Sequence, residues 1–153
     1  EFKYLQFSYK KMDIYNMESE KLYLMNEFRD QLVNFLDEII DQFPMECDFV
    51  LIRMFIKDQV PVCDVMGQFI RDILPLHDHV KNRNDSFFIN NSILYSGGNI
   101  NQDKMNHFKN IWISDQLDDE NRDTIWKWMD CLFKIGNRYF TKFGYIKGWE
   151  KDA

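Results

Sequence analysis

Residues 108–140 read FKNIWISDQLDDENRDTIWKWMDCLFKIGNRYF and hold three of the four Trp, namely Trp112, Trp126 and Trp128. Asp118 stands where a helix N-cap is needed, and Asp119 and Glu120 follow it, with charges that suit the positive end of a helix. Ile125, Met129, Leu132, Gly136, Tyr139 and Phe140 then line one face at helical spacing. Asp123 to Lys127 and Asp130 to Lys134 place opposite charges four residues apart, and Gly144 supplies a stop. The stretch predicts a long helix built to pack and to contact a partner, preceded by a short helix over Asp103 to Trp112 and a turn at Ser114-Asp115.

The same period recurs upstream. Asn16 or Ser19 can cap a helix running to about Gln42, whose stripe Met25, Phe28, Leu32, Phe35, Ile39 and Phe43 is expected to pack in the core. Pro44 suits the first turn of a second helix, where its missing N–H is not required. Phe49, Val50, Leu51, Ile52, Met54, Phe55 and Ile56 make that helix apolar nearly all round, so it is expected at the centre of the fold. Pro61 repeats the device for a third helix, with Val62, Val65, Met66, Phe69, Ile70 and Ile73 inward and Pro75 ending it. Short connections at both prolines favour antiparallel neighbours.

Two segments read differently. Residues 1–15 are aromatic and Lys-rich with a weak alternation through Phe2, Tyr4, Gln6 and Ser8, and are expected as an N-terminal arm outside the helical domain of residues 16–153. From Leu76 to Lys104, six Asn and the pair Gly97-Gly98 mark turns around Phe87-Phe88-Ile89 and Ile93-Leu94-Tyr95. This predicts a long Asn-rich loop with at most one short helix.

With 153 residues, one domain suffices, and about two thirds of the unfolded surface can leave water at this size. The 14 Phe, 7 Tyr and 4 Trp are enough both for an aromatic core and for an aromatic patch outside it. No apolar run reaches the ~20 residues needed to cross a bilayer, and no signal-peptide pattern opens the chain, so an intracellular place is expected. Cys47, Cys63 and Cys131 have neither disulfide-framework nor zinc spacing. The net charge of -6 disfavours a duplex-coating protein, whose affinity comes from Lys and Arg on phosphates. Charge is nevertheless uneven: residues 1–121 carry 12 basic and 21 acidic side chains, residues 122–153 carry 7 and 4. An acidic body and a basic tail suit self-association or an acidic partner.

Little points to catalysis. His77-Asp78-His79, with Cys63 not far off in sequence, is the best metal candidate, yet two His two residues apart face different ways on a helix. Asp37 and Asp41 share a helical face and can form a carboxylate pair, but the Glu-x-x-His motif of di-metal bundles is absent. No phosphate loop, nucleophile elbow or His-Glu-x-x-His occurs. No cofactor and no metal is expected.

In the C-terminal helix and tail, Lys127, Lys134, Arg138, Lys142, Lys147 and Lys151 interleave with Trp126, Trp128, Tyr139, Tyr145 and Trp149. Aromatic rings and cations together form protein contact hot spots, and they also form the stacking platforms of single-stranded nucleic-acid binders.

Phe108 to Tyr139, with its hydrophobic-Trp, Asp-Asp-Glu-Asn-Arg and Thr-Ile-Trp-Lys-Trp elements, resembles small helical proteins encoded by large and giant DNA viruses. FLDEIIDQFP at Phe35 to Pro44, a Pro-initiated middle helix and a polar Asn-rich stretch before the Trp helix extend the resemblance to about two thirds of the chain. Ala153 as the only Ala, beside abundant Phe, Ile, Asn, Lys and Tyr, agrees with a gene poor in G and C. The resemblance implies an all-helical fold and a viral origin, in host cytoplasm or virion, and supplies no catalytic residues. Trp128, Cys131 and the aromatic N-terminal arm depart from its pattern.

These readings converge on an all-α domain of four or five main helices. The expected function is non-enzymatic interaction or structural support, through self-association or a protein partner. Trp126, Trp128, Lys134, Arg138, Lys142 and Trp149 are the candidate binding residues. A nucleic-acid accessory role through the same surface is the alternative, and no membrane is involved.

Overall fold

The computed structural model describes residues 2–89 and 102–152. It is all-α, with no strand among the described residues. The elements are α1 (Phe2–Gln42), α2 (Cys47–Met54), α3 (Val62–Gln68), α4 (His77–Lys81), α5 (Ser86–Ile89), α6 (Gln102–Ile113) and α7 (Asp119–Phe143). Wider π turns extend α2 over Phe55–Gln59 and α3 over Phe69–Ile73, and a 3-10 turn at Leu74–Leu76 leads into α4.

α1 and α7 form the frame. Glu20 of α1 meets Lys142 near the end of α7, while Glu38 meets Trp128 near its start, so the two helices run antiparallel. α7 begins as its sequence requires: the Asp118 carboxylate accepts the Asn121 N–H at 2.7 Å, and Gly144, at φ +76°, ends the helix in a conformation that favours glycine. Of the two expected ion pairs, Asp123–Lys127 forms at 3.0 Å. Asp130 instead takes the Arg83 guanidinium through both oxygens, at 2.7 and 2.6 Å, because a bidentate fork outcompetes a single ammonium.

The core is a chain of rings. Phe69 lies 4.7 Å from Phe28 of α1 and 5.1 Å from Phe133 of α7, and Phe87 adds a further edge contact to Phe133. Phe28, Phe87 and Phe133 are fully buried. From the expected α1 stripe, Phe28, Ile39 and Phe43 are buried, and Met25, Leu32 and Phe35 pack against them. A second aromatic group joins α5, α6 and α7: Trp112 meets Trp126 edge-on at 5.4 Å, with Phe88 4.2 Å from Trp112. Arg122 locks the turn between α6 and α7 by donating to the Trp112 and Ser114 carbonyls at 3.2 and 3.0 Å.

Several expectations are corrected. α1 does not begin at Asn16 or Ser19: residues 2–15 form its first turns, and Asn16 and Ser19 lie within that helix, where good formers such as Leu, Lys, Gln and Met outweigh the two capping residues. α2 is peripheral rather than central and buries no residue; Phe49 and Ile52 pack inward while Val50, Leu51, Met54 and Phe55 face solvent. Pro44 sits in the turn before α2, not in its first turn. Pro75 does not end helical structure, because at the start of a 3-10 turn its missing N–H is not needed. The expected loop from Leu76 contains α4 and α5, and Phe87 in it is a core residue. Asn90, Asn91, Asn99, Asn101, Gly97-Gly98 and Ile93-Leu94-Tyr95 lie outside the described residues.

The Phe69 stack depends on Gly136, where an added Cβ would come within 2.6 Å of the Phe69 ring. Gly136→Ala is therefore expected to destabilise the fold by about 1–3 kcal/mol through overpacking. Urea unfolding of this variant beside Asn137→Ala, one residue along on the exposed face of α7, measures it. An unchanged midpoint for Gly136→Ala would contradict the packing described.

Candidate interaction surface

The six candidate residues do not share one surface. Trp126 is 5% exposed, enclosed by Phe87, Phe88 and Trp112 with the Arg83 guanidinium 5.7 Å from its ring centre, and presents no face to a partner. Trp128 is half-buried against Phe35, and its indole N–H donates to Glu38. Trp149 folds back onto α3: its indole N–H donates to Asp64 at 2.8 Å, Arg71 stacks 4.7 Å from its ring centre, and Gly67 makes room beneath it. Lys142 is paired with Glu20. Lys134 and Arg138 remain, exposed and four residues apart on the outer side of α7. The tryptophan rings thus turn inward or sideways while Lys134 and Arg138 turn out.

The groups singled out for chemistry are equally dispersed. His77 stacks on Phe133, His79 lies within 3.3–3.4 Å of Asn84 and Ser86, and His107 pairs with Glu46 at 2.8 Å. No group of three potential metal ligands forms among the described residues. Asp37 is engaged by Arg53 of α2 and Glu38 by Trp128 of α7. The half-buried Cys131 thiol is pushed up in pKa by burial and by nearby Glu27, the opposite of nucleophile activation. A cleft of about 260 Å³ between α1 and α7 has Glu38 and Trp128 in its wall, bonded to each other. Its volume falls short of the ~300–1,000 Å³ usual for small-molecule pockets.

Exposed apolar surface is the most pronounced feature outside the core. Every described side chain from Lys3 to Ser19 is exposed. Among the described residues, all but two of the large exposed hydrophobics lie on the N-terminal half of α1 or between Met45 and Phe55. On α2, Val50, Leu51, Met54 and Phe55 fall at helical spacing along one outward stripe. On α1, Leu5, Tyr9 and Met12 form another. Sequence reasoning passed over both, although the signal was present: Phe49, Ile52 and Ile56 already supply an inward face for α2, which leaves the second stripe without an internal use. No helix of the described residues is long and apolar enough to cross a membrane, so these stripes do not belong to a spanning segment.

Comparison with protein-family models, with curated proteins and with solved structures gave no match.

The Arg83–Asp130 pair offers an electrostatic test of the α7 surface. Hydrogen bonding to Arg83 holds the Asp130 carboxyl below its ordinary value. A depressed carboxyl stabilises the fold above its unfolded pKa, near ~3.9, and that contribution disappears as pH falls through the lower folded value. Both side chains are more than a third exposed, so the effect is small. Asp130→Asn is expected to cost about 0.2–1 kcal/mol near neutrality, with the gap from wild type closing below pH ~4. Thermal unfolding across pH checks this; a gap that widens in acid would overturn the assignment.

Proposed function

We propose that this protein is a non-enzymatic interaction and structural module that builds assemblies with protein, further copies of itself included. The observation that carries the proposal is the concentration of exposed large apolar side chains on the N-terminal half of α1 and the outward stripe of α2. Scattered exposed hydrophobics need no explanation, but apolar residues in register along a helix mark a contact surface. The dispersal of the His, Cys and carboxylate groups, no three of which come together as potential metal ligands among the described residues, supports the same reading. Its resemblance to helical proteins of large DNA viruses places the module, in our proposal, among viral assembly components.

Relative to the expectation from sequence, the proposed contact surface moves. Trp126 leaves it, because its ring is enclosed, and Trp128 and Trp149 contribute only edges. A second reading, nucleic-acid binding through α7, has the exposed cations Lys134 and Arg138 in its favour. It lacks outward rings beside them, so we rank it second.

Sedimentation over a wide concentration range, with affinity capture from the producing cells, tests the proposal. Wild type is compared with Leu51→Glu/Phe55→Glu on α2 and Leu5→Glu/Tyr9→Glu on α1, all exposed positions whose substitution should leave the helical circular dichroism intact. At least one variant is expected to weaken association tenfold or more. A wild type that stays monomeric and retains no protein, or an association indifferent to both variants, would end this reading.

A further inference from the structure

The seat of Trp149 on α3 is built without help from the ring that fills it. Asp64, Gly67 and Arg71 stand three and four residues apart along α3 and its π extension, and all three meet that one side chain. The other side of the same segment is fixed by the core: Met66, Phe69 and Ile70 are buried, and Phe69 lies between Phe28 and Phe133. Arg71 is fixed too, since Asp72 takes its guanidinium through both carboxylate oxygens at 2.9 Å. None of these supports involves the tail. Without Trp149 an acceptor, a bare stretch of helix and a held cation still face one space, and a preorganised set of this kind loses little in ordering when a ligand enters.

Each group selects one property of the ring. Asp64 accepts the indole N–H at 2.8 Å, a donor that phenylalanine lacks. Gly67 leaves width for the double ring; a Cβ there would overlap it, and the three nearest atoms that Cβ would meet all belong to Trp149. Arg71 stacks 4.7 Å from the ring centre, a contact for which tryptophan is the best of the aromatic side chains. The Arg71 guanidinium is raised above its ordinary pKa chiefly by its hydrogen bond to Asp72, against burial, and also by the charge of Asp152. The seat thus matches an indole followed three residues later by a carboxylate.

The tail occupies this seat by one side chain. Lys147, Gly148, Glu150, Lys151 and Asp152, on either side of Trp149, are all exposed. The Trp149 backbone N–H donates to Ile146 and the Gly148 N–H to Glu150, both at 2.8 Å and both within the tail. Among the described residues, the indole therefore makes the tail's only hydrogen bond to α3. Gly144 and Gly148, at φ +76° and +91°, bracket the link that joins the ring to α7. A single inserted ring between exposed neighbours is how a short peptide anchors on a partner.

We infer that the Asp64–Gly67–Arg71 face of α3 is a recognition site for a segment of another protein that carries a tryptophan and, three residues on, an acid, and that residues 144–152 fill it in cis as a built-in competitor. The order required of the partner is the one the tail displays in Trp149-Glu150-Lys151-Asp152. This site is separate from the apolar stripes of α1 and α2 and does not depend on their role. A short tether presents the tail's own ring at an effective concentration on the order of mM, which keeps the site closed to weak ligands.

A labelled peptide spanning residues 144–152, titrated into the full chain and into its Trp149→Ala variant and followed by fluorescence anisotropy, tests this. Trp149→Ala is expected to bind the peptide at least tenfold more tightly than wild type, because the competitor is gone. Binding should fall at least tenfold when the peptide carries Trp149→Phe, and again in Trp149→Ala/Gly67→Ala, whose added methyl stands in the ring's place. Equal binding to wild type and Trp149→Ala, no binding to a Trp149→Ala chain of unchanged helical circular dichroism, or indifference to Gly67→Ala overturns the inference. If Trp149→Ala does not fold, hydrogen exchange on the wild-type chain decides. The Gly148 and Trp149 amides should then exchange at least a hundredfold faster than those of Leu132 and Phe133 in α7; equal rates mean that the tail lifts only on global unfolding, which overturns the inference as well.

Discussion

The contact of Phe69 with Phe28 on one side and Phe133 on the other is the constraint on which the rest depends. It joins α3 to both members of the α1–α7 frame, and tilted and edge-on ring pairs at such distances add to what area burial provides. The ring reaches α7 only because residue 136 is glycine. The π turn over Phe69–Ile73 belongs to the same arrangement, since a wider turn at that point carries Phe69 and Ile70, both buried, into the interior. One small residue and one widened turn thus decide where the third helix sits, and α4 and α5 follow from there through Phe87.

Long periodic segments were legible from sequence for a simple reason. In α7 the cap, the acidic first turn, the apolar stripe and the glycine stop all agree, so local and tertiary preferences have one solution. Position within the fold was less legible. α2 is apolar all round, which usually means burial on all sides, but nothing in a single helix says whether its second face meets the core or a different molecule. Residues 2–15 were obscured for a different reason: Leu5, Tyr9 and Met12 lie on one side of the helix and Ile14 on the other, so their shared helical period is masked by a weak alternation through Phe2, Tyr4, Gln6 and Ser8. Pro75 misled because proline is incompatible with a helix interior but compatible with a first turn, and the sequence does not distinguish a stop from a redirection.

The candidate binding residues illustrate the ambiguity of tryptophan. Its large ring and single N–H serve core and interface equally well. Here Trp112, Trp128 and Trp149 each find an acceptor in a carboxylate of the same chain, Asp85, Glu38 and Asp64. Those bonds satisfy the indole N–H groups and hold the rings against the body. Lys134 and Arg138 stayed outside, exposed on α7. A cluster of aromatic and basic residues in sequence was therefore divided by the fold into a packed part and a solvated part.

What remains exposed has its own physical logic. Burying an apolar stripe requires a second surface, and a domain of this size has a limited amount of helix to offer as cover. Among the described residues, the body covers α1 from about Glu20 onward and leaves an N-terminal rod bare, for α7 ends at Phe143 and the tail turns back to α3 through Trp149. Extending α7 by five turns would have covered the rod within one chain. The tail instead spends its aromatic residue on α3, at a glycine that admits the ring. The bare rod is thus a consequence of where α7 stops.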